Sequence, residues 1–355
     1  MKPIFQVRPP EGVNLKTGKV MESIVFFNNK GGVGKTTLLC NVAAYLSLEL
    51  NKKVLVVDAD PQCNTTSYCL GEQKISQIYS NEKRITIEHF LNPVRRGKGY
   101  ASERIVPIKT GRFGFDLIPG DPKLALSEDF LASDWDPAVA GKPRGMQTTF
   151  VFSHLSSLYN DYDYVLYDVG PSLGALNRAI IISCDFFIIP MSVDMFSLLA
   201  LNNINLSLKN WMNGIKAGLK NHIAEEGEEF TIGNESLECN LQFLGYAMQQ
   251  YRGKTVRGEK VKVNAYEKIA LKVPKIIKTE IVANYSHNKN IDFELGQIEN
   301  MYSLIPLSQL ANAPIFCLKN KDGVVGSHFS KVNDAKKLFD SICLNILKNI
   351  EAVKP

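Results

Sequence analysis

Ser23-Ile24-Val25-Phe26-Phe27-Asn28-Asn29-Lys30-Gly31-Gly32-Val33-Gly34-Lys35-Thr36-Thr37 decides the fold. The first five residues form a short apolar run that fits a buried strand. After the glycine-rich turn, Leu38, Leu39, Val42, Ala43 and Leu46 recur at helical spacing. KVLVVDAD, from Lys53, is a second buried strand that ends in acid. Strand, turn, helix and strand make a βαβ unit, which predicts a parallel sheet. The turn has chemistry of its own. Gly31, Gly32 and Gly34 leave room for successive backbone N–H groups, with Val33 between them, to converge on an anion at a helix N-terminus. Lys35 supplies charge for the β- and γ-phosphates and Thr36 a hydroxyl for Mg²⁺, with Thr37 beside it. The stretch predicts a nucleotide-phosphate site.

Outward from this unit the rhythm repeats. YDYVLYD from Tyr162 and DFFIIPM from Asp185 read as strands, and ALNRAIIIS between them as a helix. MFSLLALNNINLSLKNWMNGI reads as a long helix, the acidic AEEGEEFTIGNESLE as a loop, and LQFLGYAM and YSLIPL as later strands. DAKKLFDSICLNILKNIEAV is a closing amphipathic helix. The expectation is an α/β P-loop fold, with a mostly parallel, twisted sheet and helices on both faces. Residues 1–22 form an irregular arm, and 23–355 form one domain with an elaborated 61–162 region; an inserted subdomain there is the alternative.

The 355 residues are 45% hydrophobic and 22% charged, which excludes a disordered or fibrous chain. Seven scattered cysteines without a CxxC pair fit free thiols in a reducing cytosol and offer no zinc or iron–sulfur spacing. MKPIFQVRPPEG lacks the apolar core of a secretory signal. The most apolar stretch, from Ala179, is interrupted by Asp185 and falls short of the roughly 20 residues of a membrane span. A cytoplasmic protein is expected.

Two acidic strand ends complete the site. Asp58-Ala59-Asp60-Pro61-Gln62 and Asp168 should lie near the phosphates, because open α/β sheets bind ligands outside the carboxyl ends of their strands. Asp168, after a buried strand, occupies the position that holds Mg²⁺ directly or through water.

Lys30 departs from the ordinary phosphate-loop pattern, which also requires glycine where Asn29 stands. A lysine there has no useful target inside its own compact loop, but it could reach the phosphates of a facing second copy. KGG-x-GKT at 30–36 resembles the deviant Walker A loop of the ParA/MinD family. The resemblance implies ATP and Mg²⁺ as cofactors and an ATP-sandwich homodimer in which Lys30 contacts the partner's nucleotide. It also implies that Lys30 and Lys35 serve catalysis, that Asp60 orients the attacking water, and that Asp58 and Asp168 join Thr36 around the metal. Where the family usually reads D-x-P-P-S-L-G, this chain has Asp168-Val169-Gly170-Pro171-Ser172-Leu173-Gly174; glycine for the first proline loosens that loop. IPLSQLANAPI from Ile305 resembles a stretch near the family's nucleotide base and places Pro306 beside adenine.

The family likeness covers most of 23–350 and implies a switch for DNA partition with slow hydrolysis stimulated by an adaptor protein. From Arg252 to Lys278 nine Lys or Arg against two Glu give a local net charge of +7, against +5 for the chain. Arg252, Lys254, Arg257, Lys260 and Lys262 are the expected contacts to nonspecific DNA phosphates, and nucleoid association would follow; a solvated helical face is the bland alternative. The closing helix is expected to pack on the sheet; lying on a membrane is the alternative. The competing functions are an ATPase switch of another assembly, for cargo positioning or defence, and a metabolic ATP-dependent enzyme on the same scaffold.

Overall fold

Eight strands build the central sheet of the computed structural model, which describes residues 7–8, 21–81, 84–233, 235–249, 254–256, 259–261, 268–298, 301 and 303–354. They are β1 (Glu22–Phe26), β2 (Val54–Ala59), β3 (Ile108–Lys109), β4 (Asp116–Ile118), β5 (Tyr164–Val169), β6 (Phe186–Ser192), β7 (Gln242–Gln249) and β8 (Glu294–Ile298). Their spatial order is β8-β7-β6-β1-β5-β2-β4-β3. All neighbours run parallel except β3, which joins β4 antiparallel at the edge. Such a sheet needs apolar residues on both faces, which is why its strands read as continuous hydrophobic runs. Alternate residues divide accordingly: Val25, Leu55, Val57 and Tyr167 pack into one core, and Ile24, Phe26, Val56 and Leu166 into the other.

The helices that matter for the site are α1 (Lys35–Leu48), α2 (Asn64–Cys69), α3 (Glu128–Ser133), α4 (Ala175–Ile182), α5 (Met195–Glu226), α6 (Leu304–Ala311) and α7 (His328–Val353). β1–α1–β2 forms as expected, with β5 inserted between its two strands. Val57 lies opposite Tyr167 and Asp58 opposite Asp168, while Phe26 flanks Asp168 from the other side. The two acidic strand ends are thereby brought side by side.

Two local readings are corrected. The segment read as a strand from Tyr302 forms α6, whose buried Leu304 and Ser308 have helical spacing; the last strand is β8, a polar edge strand. The acidic stretch read wholly as a loop continues α5 to Glu226, stopped by Gly227 at φ 76°, and then forms a small hairpin, Thr231–Ile232 with Glu235–Ser236. Within the N-terminal arm, Val7–Arg8 pairs with Arg104–Ile105 of the elaborated region.

α7 buries Phe339, Ile342, Cys343, Ile346 and Ile350 in the core that covers one sheet face. Among the described residues no helix is long and apolar enough to cross a membrane.

Candidate nucleotide and metal site

The loop between β1 and α1 is shaped by its own backbone and by one buried amide. Gly32 and Gly34 take φ of 72° and 73°, a region in which side chains are strained. A Cβ on Gly34 would also collide with the carboxamide of Gln249 at the end of β7. Asn28, fully buried, donates to Pro190 O at 2.8 Å and accepts from Lys30 N at 2.9 Å, tying the loop to β6. Gly31 and Gly32 lie exposed at the loop's outer turn, Val33 is buried beneath it, and Thr37 stands half-buried in the first turn of α1.

The expected cation and acids converge at these strand ends. Lys35 is buried, and its Nζ lies 3.3 Å from Lys30 O. Burial lowers its pKa, against the opposing charges of Asp168 and Asp60. Thr36 Oγ1 donates to Asp168 Oδ2 at 2.8 Å. Burial raises Asp168 to about 6, despite hydroxyl hydrogen bonds from Thr65 and Thr36. Asp58 is pushed higher, to about 8, by burial and then by the neighbouring Asp168 charge. Asp60 is buried beside them, and its Oδ1 accepts Gln62 N at 2.9 Å.

Asp58 Oδ1 and Asp168 Oδ1 are buried without a hydrogen-bond partner. An orphaned buried carboxylate oxygen is costly unless something binds it. With the Thr36 hydroxyl adjacent, these hard oxygen donors fit Mg²⁺, which takes few protein ligands and completes its shell with water and phosphate. Among the described residues no group of three or more His, Cys, Asp or Glu is placed to hold a metal by protein ligands alone.

The loop after Asp168 is not slack, although glycine replaces proline. Asn177, buried in α4, donates to Gly170 O at 2.7 Å and to Ser172 O at 2.8 Å. The glycine has a steric use as well, because a Cβ at Gly170 would stand 3.3 Å from Asp60 Oδ1. Glu128 of α3 accepts the Ala175 and Leu176 N–H groups and so caps α4.

Lys30 turns away from its own loop, and here it has a partner within the chain. Its ammonium pairs with Asp194, the N-cap of α5, with Ser192 Oγ at 3.1 Å and Ser197 Oγ at 3.5 Å. Burial pushes Asp194 up, but hydrogen bonds from Lys30, Ser192 and Ser197 N–H outweigh it and hold the carboxyl at about 2. The aspartate lies 164 residues away, which hid it from the local pattern.

Other expected positions are less central. Pro306 is exposed on α6, a helix attached to α2 by the Tyr68–Ser308 hydroxyl contact at 2.6 Å. Arg252, Arg257 and Lys262 lie outside the described residues. Lys254 and Lys260 fall on a two-stranded hairpin, Lys254–Val256 with Glu259–Val261. Thr65, Thr66, Asn28, Asn177, Glu128 and Asp194 escaped the sequence reading. Only the threonine pair carried a usable signal, two hydroxyls following the D-x-D-P-Q run.

A family model described as AAA domain matches residues 21–221, more than half of the chain. The virulence plasmid ParA family protein pGP5-D of Chlamydia trachomatis is 32% identical over 235 residues, 66% of this chain and 78% of that protein. The chromosome-partitioning ATPase Soj of Thermus thermophilus is 28% identical over 239 residues, 67% of this chain and 73% of Soj. Among solved structures, the Corynebacterium diphtheriae protein DIP2308 superposes with a TM-score of 0.69 at 30% identity, over 82% of this chain and 97% of that one. An ATP complex of Cyanothece McdA shares the fold, with a TM-score of 0.58 at 18% identity over 95% and 99% of the two chains.

Proposed function

The chain belongs to the ParA family of P-loop ATPases, and from that premise we propose that it is an ATP-dependent dimerising switch serving DNA partition. One observation carries the reading. Lys35, Thr36, Asp60 and Asp168 converge on one corner, whereas the Lys30 ammonium, from the same loop, pairs with Asp194 at the start of α5. A cation that leaves its own site, on a half-exposed ion pair, is available to a nucleotide bound elsewhere.

In the proposed cycle the N–H groups from Gly31 to Thr36 cradle the phosphates and Lys35 neutralises their charge. Mg²⁺, held through Thr36 and Asp168 with Asp58 behind, supplies further charge neutralisation when bound. Lys30 leaves Asp194 for the partner's triphosphate. Asp60 orients the attacking water from beside the Gly170 loop. Phosphoryl transfer to water needs positioning and electrostatics more than covalent chemistry, and these residues provide both. No strong general base lies among them, so turnover is slow until an adaptor protein stimulates it. The names of the plasmid and chromosome-partitioning relatives support DNA as the cargo, and the local excess of positive charge from Arg252 to Lys278 supports nonspecific duplex binding. Lys254 and Lys260 are the testable positions of that surface.

Size-exclusion light scattering of wild type and Lys30→Ala, with ADP and with ATP, tests the switch. The expected result is doubling of wild type with ATP alone and a monomeric variant in both nucleotides. A wild type indifferent to ATP overturns the proposal.

A further inference from the structure

We infer that Thr65, with Thr66 beside it, is a positioning residue for the magnesium carboxylates, which deepens the nucleotide reading above and rests on it. Cys63, at φ 53°, turns the chain sharply out of the Asp60 corner into α2. A non-glycine residue in the left-handed region signals a conformation imposed by its surroundings. What the turn achieves is visible in the next residues. Thr65 Oγ1 donates to Asp168 Oδ2 at 2.7 Å, and Thr66 donates to Asp58 Oδ2 through both its backbone N–H, at 2.8 Å, and its hydroxyl, at 2.6 Å. Two consecutive side chains thus grip the two carboxylates that β2 and β5 place opposite each other. Each is held by one oxygen, and in each the other oxygen is buried and unpartnered.

The Thr65 grip is directional. An ionised carboxylate carries no proton, so both hydroxyls at Asp168 Oδ2, from Thr65 and Thr36, must be donors. The single hydroxyl proton of Thr65 is then committed. The contact of Cys40 Sγ with Thr65 Oγ1, at 3.7 Å, must therefore run from thiol to hydroxyl, and Cys69 Sγ donates in turn to Cys40 Sγ at 3.7 Å. All three groups are buried. A one-way chain from Cys69 through Cys40 and Thr65 fixes which oxygen of Asp168 remains open. Thr36 is the residue expected to turn its hydroxyl oxygen to the metal; Thr65 then keeps Asp168 oriented. Outer partners of this kind typically change metal affinity by about 10–100-fold when removed.

Thr65→Val keeps the side chain's shape and removes the donor, while Thr65→Ser keeps the donor. Binding of a fluorescent ADP is measured in EDTA and across a Mg²⁺ titration, with Mn²⁺ occupancy of the ADP complex read by electron paramagnetic resonance. In wild type, Mg²⁺ tightens ADP binding. In Thr65→Val the Mg²⁺ and Mn²⁺ midpoints rise at least about tenfold, ADP affinity in EDTA stays within about twofold, and Thr65→Ser restores the midpoints. An unchanged metal midpoint in Thr65→Val overturns the inference. So does an equal loss of ADP affinity in EDTA, which would mark a packing role alone. A wild type that binds no ADP removes the nucleotide reading; one that binds ADP but ignores Mg²⁺ overturns the inference alone.

Discussion

Asp168 and Asp194 are both carboxylates at the carboxyl end of the sheet, one closing β5 and one following β6, yet their surroundings push them in opposite directions. Asp168 is wholly buried, bonded by neutral hydroxyls, and raised to about 6. Asp194 has a side chain 29% exposed, paired with an ammonium, and is lowered to about 2. The first corner gathers the buried carboxyls of Asp58, Asp60 and Asp168 against the single ammonium of Lys35, and suits an incoming cation. The second already has its cation, at a rim where solvent screens the pair. Around it Met195, Phe196 and Leu199 stand 53%, 73% and 53% exposed, an apolar cluster of the kind that marks a docking surface. One corner has buried carboxylate oxygens left unpartnered within the chain; the other has its charges paired and its apolar neighbours exposed.

The sharpest way to break this contrast is to neutralise its buried member. Asp168→Asn should lower ATP turnover by about 10²–10³-fold, the scale of losing one preorganised electrostatic group, as read by phosphate release at saturating MgATP. Turnover within tenfold of wild type would mean that Asp168 is a spectator.

The open corner should respond in assembly instead. Phe196→Glu is expected to weaken the ATP-dependent dimer by about 10–100-fold, from the loss of about 1.5–3 kcal/mol of aromatic burial, with ADP affinity of the monomer unchanged. Sedimentation at graded concentrations measures it; an undiminished dimer would place the interface elsewhere.

Stability tests refine the comparison at lower amplitude. Glu128→Ala removes the carboxylate that caps α4 and should cost about 1–2 kcal/mol in urea unfolding. Glu128→Gln, which retains acceptor oxygen, should cost less. Equal costs would show that volume, not the hydrogen bonds, secures the loop after Asp168.

The smallest effect belongs to the rim pair. Asp194→Asn should change stability by no more than about 1 kcal/mol, because a half-exposed pair is screened. The sign of its pH dependence follows from the depressed carboxyl. The unfolded state takes up the proton first, so the contribution is constant from neutral pH to about 5 and is lost as pH falls from about 4 towards 2. A difference between wild type and variant that instead grows below pH 4 would contradict the pairing.

The phosphate loop, β1, β2, β5 and α1 were legible because each is a local pattern: apolar runs for a doubly covered sheet, glycines for positive φ, a lysine and a hydroxyl at a helix start. β8 was not, since Glu294-Leu295-Gly296-Gln297-Ile298 is a polar edge in which Leu295 alone is buried. The Tyr302 run misled because Leu304 and Ile305 resemble a strand until Ser308 is seen to share the buried side of Leu304. Pro306, assigned to the base by likeness, stands exposed on α6.

By itself the sequence determined that a phosphate-loop pattern stands at the start of α1, on a parallel sheet, with acids at the neighbouring strand ends. Those features depend on residues within a few positions of one another, whose backbone geometry and charge are set by local chemistry. Only the tertiary structure decided that β5 enters between β1 and β2, that Thr65 reaches Asp168, and that Lys30 rests on Asp194. Each of these joins segments far apart along the chain, and which distant groups meet is fixed by how the sheet is ordered and its two faces are packed.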